Sequence, residues 1–174
     1  AYAPRAFTGM GISYATTGRG ADHNKAYTVA AEFLGVLGDY DRYSLDGKAE
    51  LVKRMQDSTV MIDSLIMCMF TVDLGISVDM YAHCANLPTG MSITADDVYT
   101  IGERINTLER LFNVEEGFTR ADDALPRRFA EEPAPSDPGR HTLDVNDVLD
   151  EYYTLREWDT DGVPTPALRE RLGV

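Results

Sequence analysis

The stretch Lys48–Phe70, KAELVKRMQDSTVMIDSLIMCMF, decides how the chain is to be read. Leu51, Val52, Met55, Thr59, Ile62, Leu65, Ile66 and Met69 recur at spacings of three and four. That is the period of one helix face. The first half of the stretch is amphipathic. The second half is apolar nearly all round, which predicts a long helix whose second half is buried. Asp63 and Cys68 stand inside that apolar half. A carboxylate there is unfavourable unless something uses it.

On the N-terminal side, residues 1–22 are rich in Gly, Thr and Ala and show no helical period. They read as a glycine-rich loop, either a place where backbone approaches a ligand or a plain surface connection. Gly18 and Gly20 lack the third glycine and preceding strand of a dinucleotide fingerprint. A helix is expected from Asn24 to about Leu37, with Ala26, Ala30, Phe33, Leu34 and Leu37 on one side and Gly35 and Gly38 ending it. Residues 39–46 form a polar connection.

On the C-terminal side, Asp73-Leu74-Gly75 breaks the long pattern, and a short helix follows over Ser77–Ala85. Asn86-Leu87-Pro88-Thr89-Gly90 reads as a turn. Thr94 is placed as an N-cap, with Asp96 and Asp97 in the first turn. Val98, Ile101, Ile105, Leu108 and Phe112 then make a seam, opposite Glu103, Arg104, Glu109 and Arg110. Residues 113–142 are irregular and Pro-rich. Asp144 caps a helix from Val145 to about Trp158, with Val148, Leu149, Tyr152 and Leu155 inward. Thr165 and Pro166 start a last helix ending at Gly173. No strand period appears, so the fold class is all-α: an irregular helical domain with long connecting loops.

The chain has 174 residues, 44% hydrophobic and 26% charged, enough to bury a core. Its 16 basic against 29 acidic residues give a net charge of −13. That balance argues against nucleic acid and against an anionic membrane surface. Two cysteines and seven methionines fit a reducing, cytoplasmic setting. Residues 1–5 lack a basic region followed by an apolar one, so no signal peptide is expected. The first residue is not Met, which suggests a processed or excised piece.

His23, between Asp22 and Lys25, is a candidate proton donor or acceptor, or else a surface capping residue. Cys68 is a candidate thiolate ligand or else a small buried hydrophobe. One cysteine cannot hold a cluster alone. His83 and Cys84 are adjacent on a helix and point to different faces, a poor metal pair. His141 falls in the Pro-rich segment, exposed to solvent.

Four strings carry a resemblance. Asp63–Cys68, DSLIMC, resembles the second D-x-x-G-L-C/D motif of the tungsten-containing aldehyde ferredoxin oxidoreductases. Residues 9–27, GMGISYATTGRGADHNKAY, are similar to that family's G-M-G-x-x-Y-A-T-x-x-R-G-x-x-H segment. Residues 102–129, GERINTLERLFNVEEGFTRADDALPRRF, and 149–165, LDEYYTLREWDTDGVPT, resemble its later segments. The resemblance covers nearly all 174 residues. Two positions depart from it: Ile66 stands where the family has Gly, and Glu115 where it usually has Arg.

The resemblance implies that residues 1–174 are the C-terminal all-helical domain of a larger enzyme, lacking the N-terminal cofactor-binding domain and its C-x-x-C-x-x-x-C run. It implies an oxidation of aldehydes to carboxylic acids at a tungsten-bis-pterin centre of molybdopterin type, with electrons leaving through a [4Fe-4S] cluster to ferredoxin. By the motif, Cys68 is the fourth cluster ligand. Asp63 hydrogen-bonds the pterin, with Met67 backbone groups and Lys25 beside it, and His23 assists proton transfer. The implied partners are the missing domains, ferredoxin and a small-molecule aldehyde, with homo-oligomerisation left open. The chain alone is expected to hold no cofactor and to be inactive. Two other readings stand beside this: a subunit of a related aromatic acyl-CoA reductase, and a cofactor-free helical domain used for subunit contact.

Overall fold

The computed structural model describes residues 2–71 and 75–174; the expected break at Asp73 and Leu74 lies outside them. Eight α-helices are seen among these residues: α1 Thr8–Thr16, α2 Val29–Leu34, α3 Lys48–Ser64, α4 Val78–Thr89, α5 Ala95–Glu115, α6 Arg128–Glu131, α7 Asn146–Leu155 and α8 Pro166–Leu172. The β content among them is a single isolated bridge between Trp158 and Pro164. The fold is all-α, as the periodicity predicts. No described helix is long and apolar enough to cross a membrane.

α3 is the central element, packed against α1, α5 and α7. Leu51, Val52 and Met55 join Ile12, Leu149, Tyr152 and Leu168 in the largest apolar cluster. α3 and α5 run parallel, since Lys53 meets Glu103 at 3.2 Å and Asp57 meets Asn106 at 2.8 Å. They approach closely at Gly102, where a Cβ would lie 2.0 Å from the Asp57 carbonyl oxygen. Glycine there is a packing requirement.

The glycine-rich N-terminal segment is not a loop. Residues 8–16 form α1, and all nine are buried. An amphipathic period is absent because the helix is enclosed on every side. Gly9 faces Thr28 and Glu32, and a Cβ on Gly11 would strike Leu143. Glu32 is itself buried, accepts from the Gly9 amide at 3.1 Å and the Thr28 hydroxyl at 2.6 Å, and pairs with Lys48 at 2.6 Å. Lys48 also donates to the carbonyls of Asp41 and Ser44. A second buried pair, Arg156 with Asp57 at 2.6 Å, ties α7 to α3.

Four other expectations change. α2 begins at Val29 rather than Asn24, and Phe33, Leu34 and Leu37 are exposed. α4 runs on through Pro88 to Thr89, so the supposed turn is its last turn, closed by Gly90 in the left-handed region. On α5 Thr94 is the N-cap as expected, and Asp97 completes a capping box with it. Its faces are reversed beyond the first turns: Glu103 and Arg110 are buried, while Leu108 and Phe112 are exposed. Ion pairs explain the inversion, since Glu103 meets Lys53 and Arg171, and Arg110 meets Asp123.

The fourth change concerns α3, which stops at Ser64 rather than Phe70. The Ile66 amide donates to the Asp63 carbonyl and the Met67 amide to the Ile62 carbonyl, both at 3.0 Å. Ile66 has φ +56°. These two bonds and the left-handed residue define a Schellman cap. The apolar half is therefore not uniformly buried: Val60, Met61 and Ile62 are, but Asp63, Ser64, Ile66, Cys68 and Phe70 are exposed.

Candidate functional site

Lys25 is where the expected site residues begin to meet. It follows α1 on a short connection and is 5% exposed. Its Nζ donates to Glu109 Oε1 at 3.1 Å and lies 3.8 Å from Asp63 Oδ2. Three segments converge here: the loop after α1, the end of α3 and the middle of α5. The loop is tied to α5 by Asn113, whose Nδ2 donates to the Gly18 carbonyl at 2.6 Å. It is braced again at Asp22, which accepts from Arg19 Nε at 2.6 Å and the Asn24 amide at 2.9 Å. Partial burial opposes ionisation of Asp22. The bonds from Asn24 and Arg19 outweigh it and hold the carboxyl below its ordinary range.

The ammonium is nearly enclosed, and both carboxylates are about half exposed. The Asp63 carboxylate receives no hydrogen bond from the described residues, so its oxygens stay open toward solvent. An open acceptor beside a fixed ammonium can take a molecule with paired N–H donors and a nearby oxygen.

Cys68 is exposed, which overturns its reading as a buried hydrophobe. The Schellman cap turns the chain after Met67 and leaves the thiol outside the core. Its carbonyl accepts from the amide and hydroxyl of Thr71, at 3.1 and 2.8 Å. The same hydroxyl meets Tyr81 of α4 at 2.8 Å. The backbone bearing the thiol is thereby anchored. The Met67 amide is committed to Ile62, which leaves its carbonyl for any outside contact.

His23 stands apart from this group. Its ring is 45% exposed, 3.9 Å from Asp22 and tilted against Tyr2, with centroids 6.1 Å apart. Among the described residues no three His, Cys, Asp or Glu side chains gather as a metal site. The donor set nonetheless fits one part of a shared centre: an exposed thiol, Cys68, five positions after an open carboxylate, Asp63, which has an ammonium 3.8 Å away. One thiol supplies a single ligand of an iron–sulfur cluster and no more.

Glu109 is the residue that sequence reasoning missed. The period of α5 puts it opposite the apolar seam and gives it no partner. The available signal was its position within L-E-R of the resembled motif, beside the buried Arg110.

The chain was compared with known proteins. A family model described as aldehyde ferredoxin oxidoreductase, domains 2 and 3, matches residues 1–174. The tungsten-containing aldehyde ferredoxin oxidoreductase of Pyrococcus furiosus is 41% identical over 177 residues, covering 100% of this chain and 29% of that protein. That of Pyrococcus horikoshii is 40% identical over 174 residues, covering 98% and 28%. The chain thus spans less than a third of the length of these relatives. A solved structure, the active site complex BamBC of benzoyl coenzyme A reductase with 1,5-dienoyl-CoA, aligns with a TM-score of 0.62. It is 20% identical and covers 82% of this chain and 23% of that one. At that identity the likeness shows the fold alone.

Proposed function

Because this chain belongs to the aldehyde ferredoxin oxidoreductase family, we propose that it supplies one wall of a tungsten–pterin oxidoreductase centre. The single observation that carries this reading is the convergence of Lys25, Asp63 and Glu109, with the exposed Cys68 five positions along the chain from Asp63. In the whole enzyme the bound cofactor supplies the two-electron oxidation of an aldehyde to a carboxylic acid, and a [4Fe-4S] cluster carries electrons on to ferredoxin.

The chain's own residues bind and orient. Asp63 accepts from the N–H edge of the pterin. Lys25, fixed by Glu109, donates to an acceptor on the same edge. Cys68 contributes one thiolate to the cluster, and Thr71 and Tyr81 hold its backbone in place. Asp63 and Cys68 lie five positions apart, so one short segment of this chain would touch both the pterin and the cluster. His23, at the mouth of the loop after α1, takes or returns a proton. The remaining ligands come from other parts of the enzyme.

Iron analysis of the whole enzyme tests the assignment. Cys68→Ser lowers cluster iron, whereas Cys84→Ser, on the partly buried Cys84 of α4, leaves it unchanged. Equal iron in the two variants removes Cys68 from the site.

A further inference from the structure

A cavity that shares no residue with the Lys25 group opens between the N-terminal turn, the connection before α3 and the Pro-rich loop. It measures about 260 Å3 and is lined by Arg5, Arg42, Tyr43, Ser136 and Asp137, among others. Two guanidinium groups facing one cavity are notable in a chain of net charge −13. Acidic side chains outnumber basic ones, yet neither arginine has a carboxylate within ion-pair distance among the described residues.

The nearby carboxylates are committed elsewhere. Glu131 pairs with Arg127, and Glu132 lies 3.8 Å from Arg128. Asp41 accepts from the Tyr43 amide at 2.9 Å. Asp137 lines the cavity, but its oxygens accept from the amides of Gly139 and His141 and pair with His141 Nδ1 at 2.9 Å. His141 is in turn stacked on Tyr43 with ring centroids 3.8 Å apart.

The guanidinium planes are set by aromatic rings. Arg5 lies 5.2 Å over Phe129, and Arg42 lies 5.5 Å over Phe7 and 4.6 Å over Tyr43. Stacking of this kind leaves the in-plane donors free for a ligand. Arg5 spends one donor on the Glu132 carbonyl, and its Nε is buried without a partner. Arg42 spends one on the Tyr43 hydroxyl at 2.5 Å.

We propose that this cavity binds an oxyanion of the phosphate or carboxylate class, held between the forks of Arg5 and Arg42. Bidentate geometry suits both anions, and the cavity has room for either. The hydroxyls of Tyr43 and Ser136 complete the lining.

The test is a titration of this chain with inorganic phosphate and, separately, with acetate. Binding is followed by the shift in thermal midpoint and by the amide NMR signals of Ala134, Ser136 and Asp137. Saturable binding at low-millimolar concentration is expected, with about tenfold weaker binding in Arg42→Gln. A stronger response to phosphate identifies a phosphate ligand, and an equal or stronger response to acetate identifies a carboxylate. Ser136→Asp, a change on an exposed loop, places a carboxylate at the cavity and abolishes the response without disturbing the core. The proposal fails if neither anion binds saturably, or if Ser136→Asp binds phosphate as the parent does.

Discussion

Lys25 Nζ lies 3.1 Å from Glu109 Oε1, a contact across 84 positions of sequence. With Asp63 half exposed and at 3.8 Å, Glu109 is the main partner of a nearly buried ammonium. Glu109→Gln therefore lowers stability by about 1–2 kcal/mol, the usual loss for one side of a partly buried charged hydrogen bond. Urea unfolding measures it. Glu116→Gln, also a charge loss on an exposed acid at the end of α5, serves as the control. Equal shifts in the two variants would mean that the pair does not hold Lys25.

Ile66 occupies the left-handed region at φ +56°, and its side chain is 94% exposed. A β-branched residue there is strained by about 1–2 kcal/mol, while almost no apolar contact is at stake. Ile66→Gly relieves the strain and loses part of the gain to chain entropy, about 0.5–1 kcal/mol. The expected result is a net stabilisation of about 1 kcal/mol, read as a higher urea midpoint. A lower midpoint would show that the exposed side chain has a stabilising role.

Lys48 and Glu32 are both fully enclosed and 2.6 Å apart. Lys48→Met leaves the Glu32 carboxylate buried without its counter-charge, a loss of about 3–5 kcal/mol. Adding Glu32→Gln should restore a substantial part. Chemical denaturation of the two variants and the parent decides the matter, and a double variant no better than Lys48→Met would refute the pairing argument.

Glu103 gives the acid limb a definite sign. Burial pushes its pKa up, but Arg171 and Lys53 outweigh that and hold it below the ordinary 4.5. The folded state thus binds the proton less readily than the unfolded chain. Its stabilisation is present above 4.5 and is lost as pH falls through the depressed value. Glu103→Gln is expected to lose about 1 kcal/mol at neutral pH, with the gap closing in acid. A gap independent of pH would contradict the assignment.

The sequence made the helical class, the start of α3, the N-cap of α5 and the start of α8 legible, because each rests on local chemistry. What escaped it rests on tertiary contact. α1 carries no amphipathic period, since Gly9, Gly11 and their neighbours are enclosed on every side. The polar face of α5 turned inward because Arg171, Lys53 and Asp123 wait on other segments. The end of α3 was hidden by the residue that makes it: with Gly at position 66, the stop would have been plain, whereas Ile66 prolongs the apolar pattern. Glu157, just past the end of α7, also stands in the left-handed region, at φ +54°. Of the expected site residues, Lys25 and Asp63 come together, His23 does not join them, and Glu109 enters unforeseen.

The contact of Gly102 with the Asp57 carbonyl has a mechanical consequence. From that crossing, Asp63 lies six residues along α3 and Glu109 seven along α5, about 9 and 10 Å at the helical rise. With the helices parallel, the two carboxylates are the tips of a pair of tweezers hinged at the glycine, and Lys25 is the object gripped. A turn of roughly 6° about the hinge would move a tip by about 1 Å, enough to break the grip on the ammonium. The spacing of groups at the surface is thus set deep in the molecule, by a residue with no side chain.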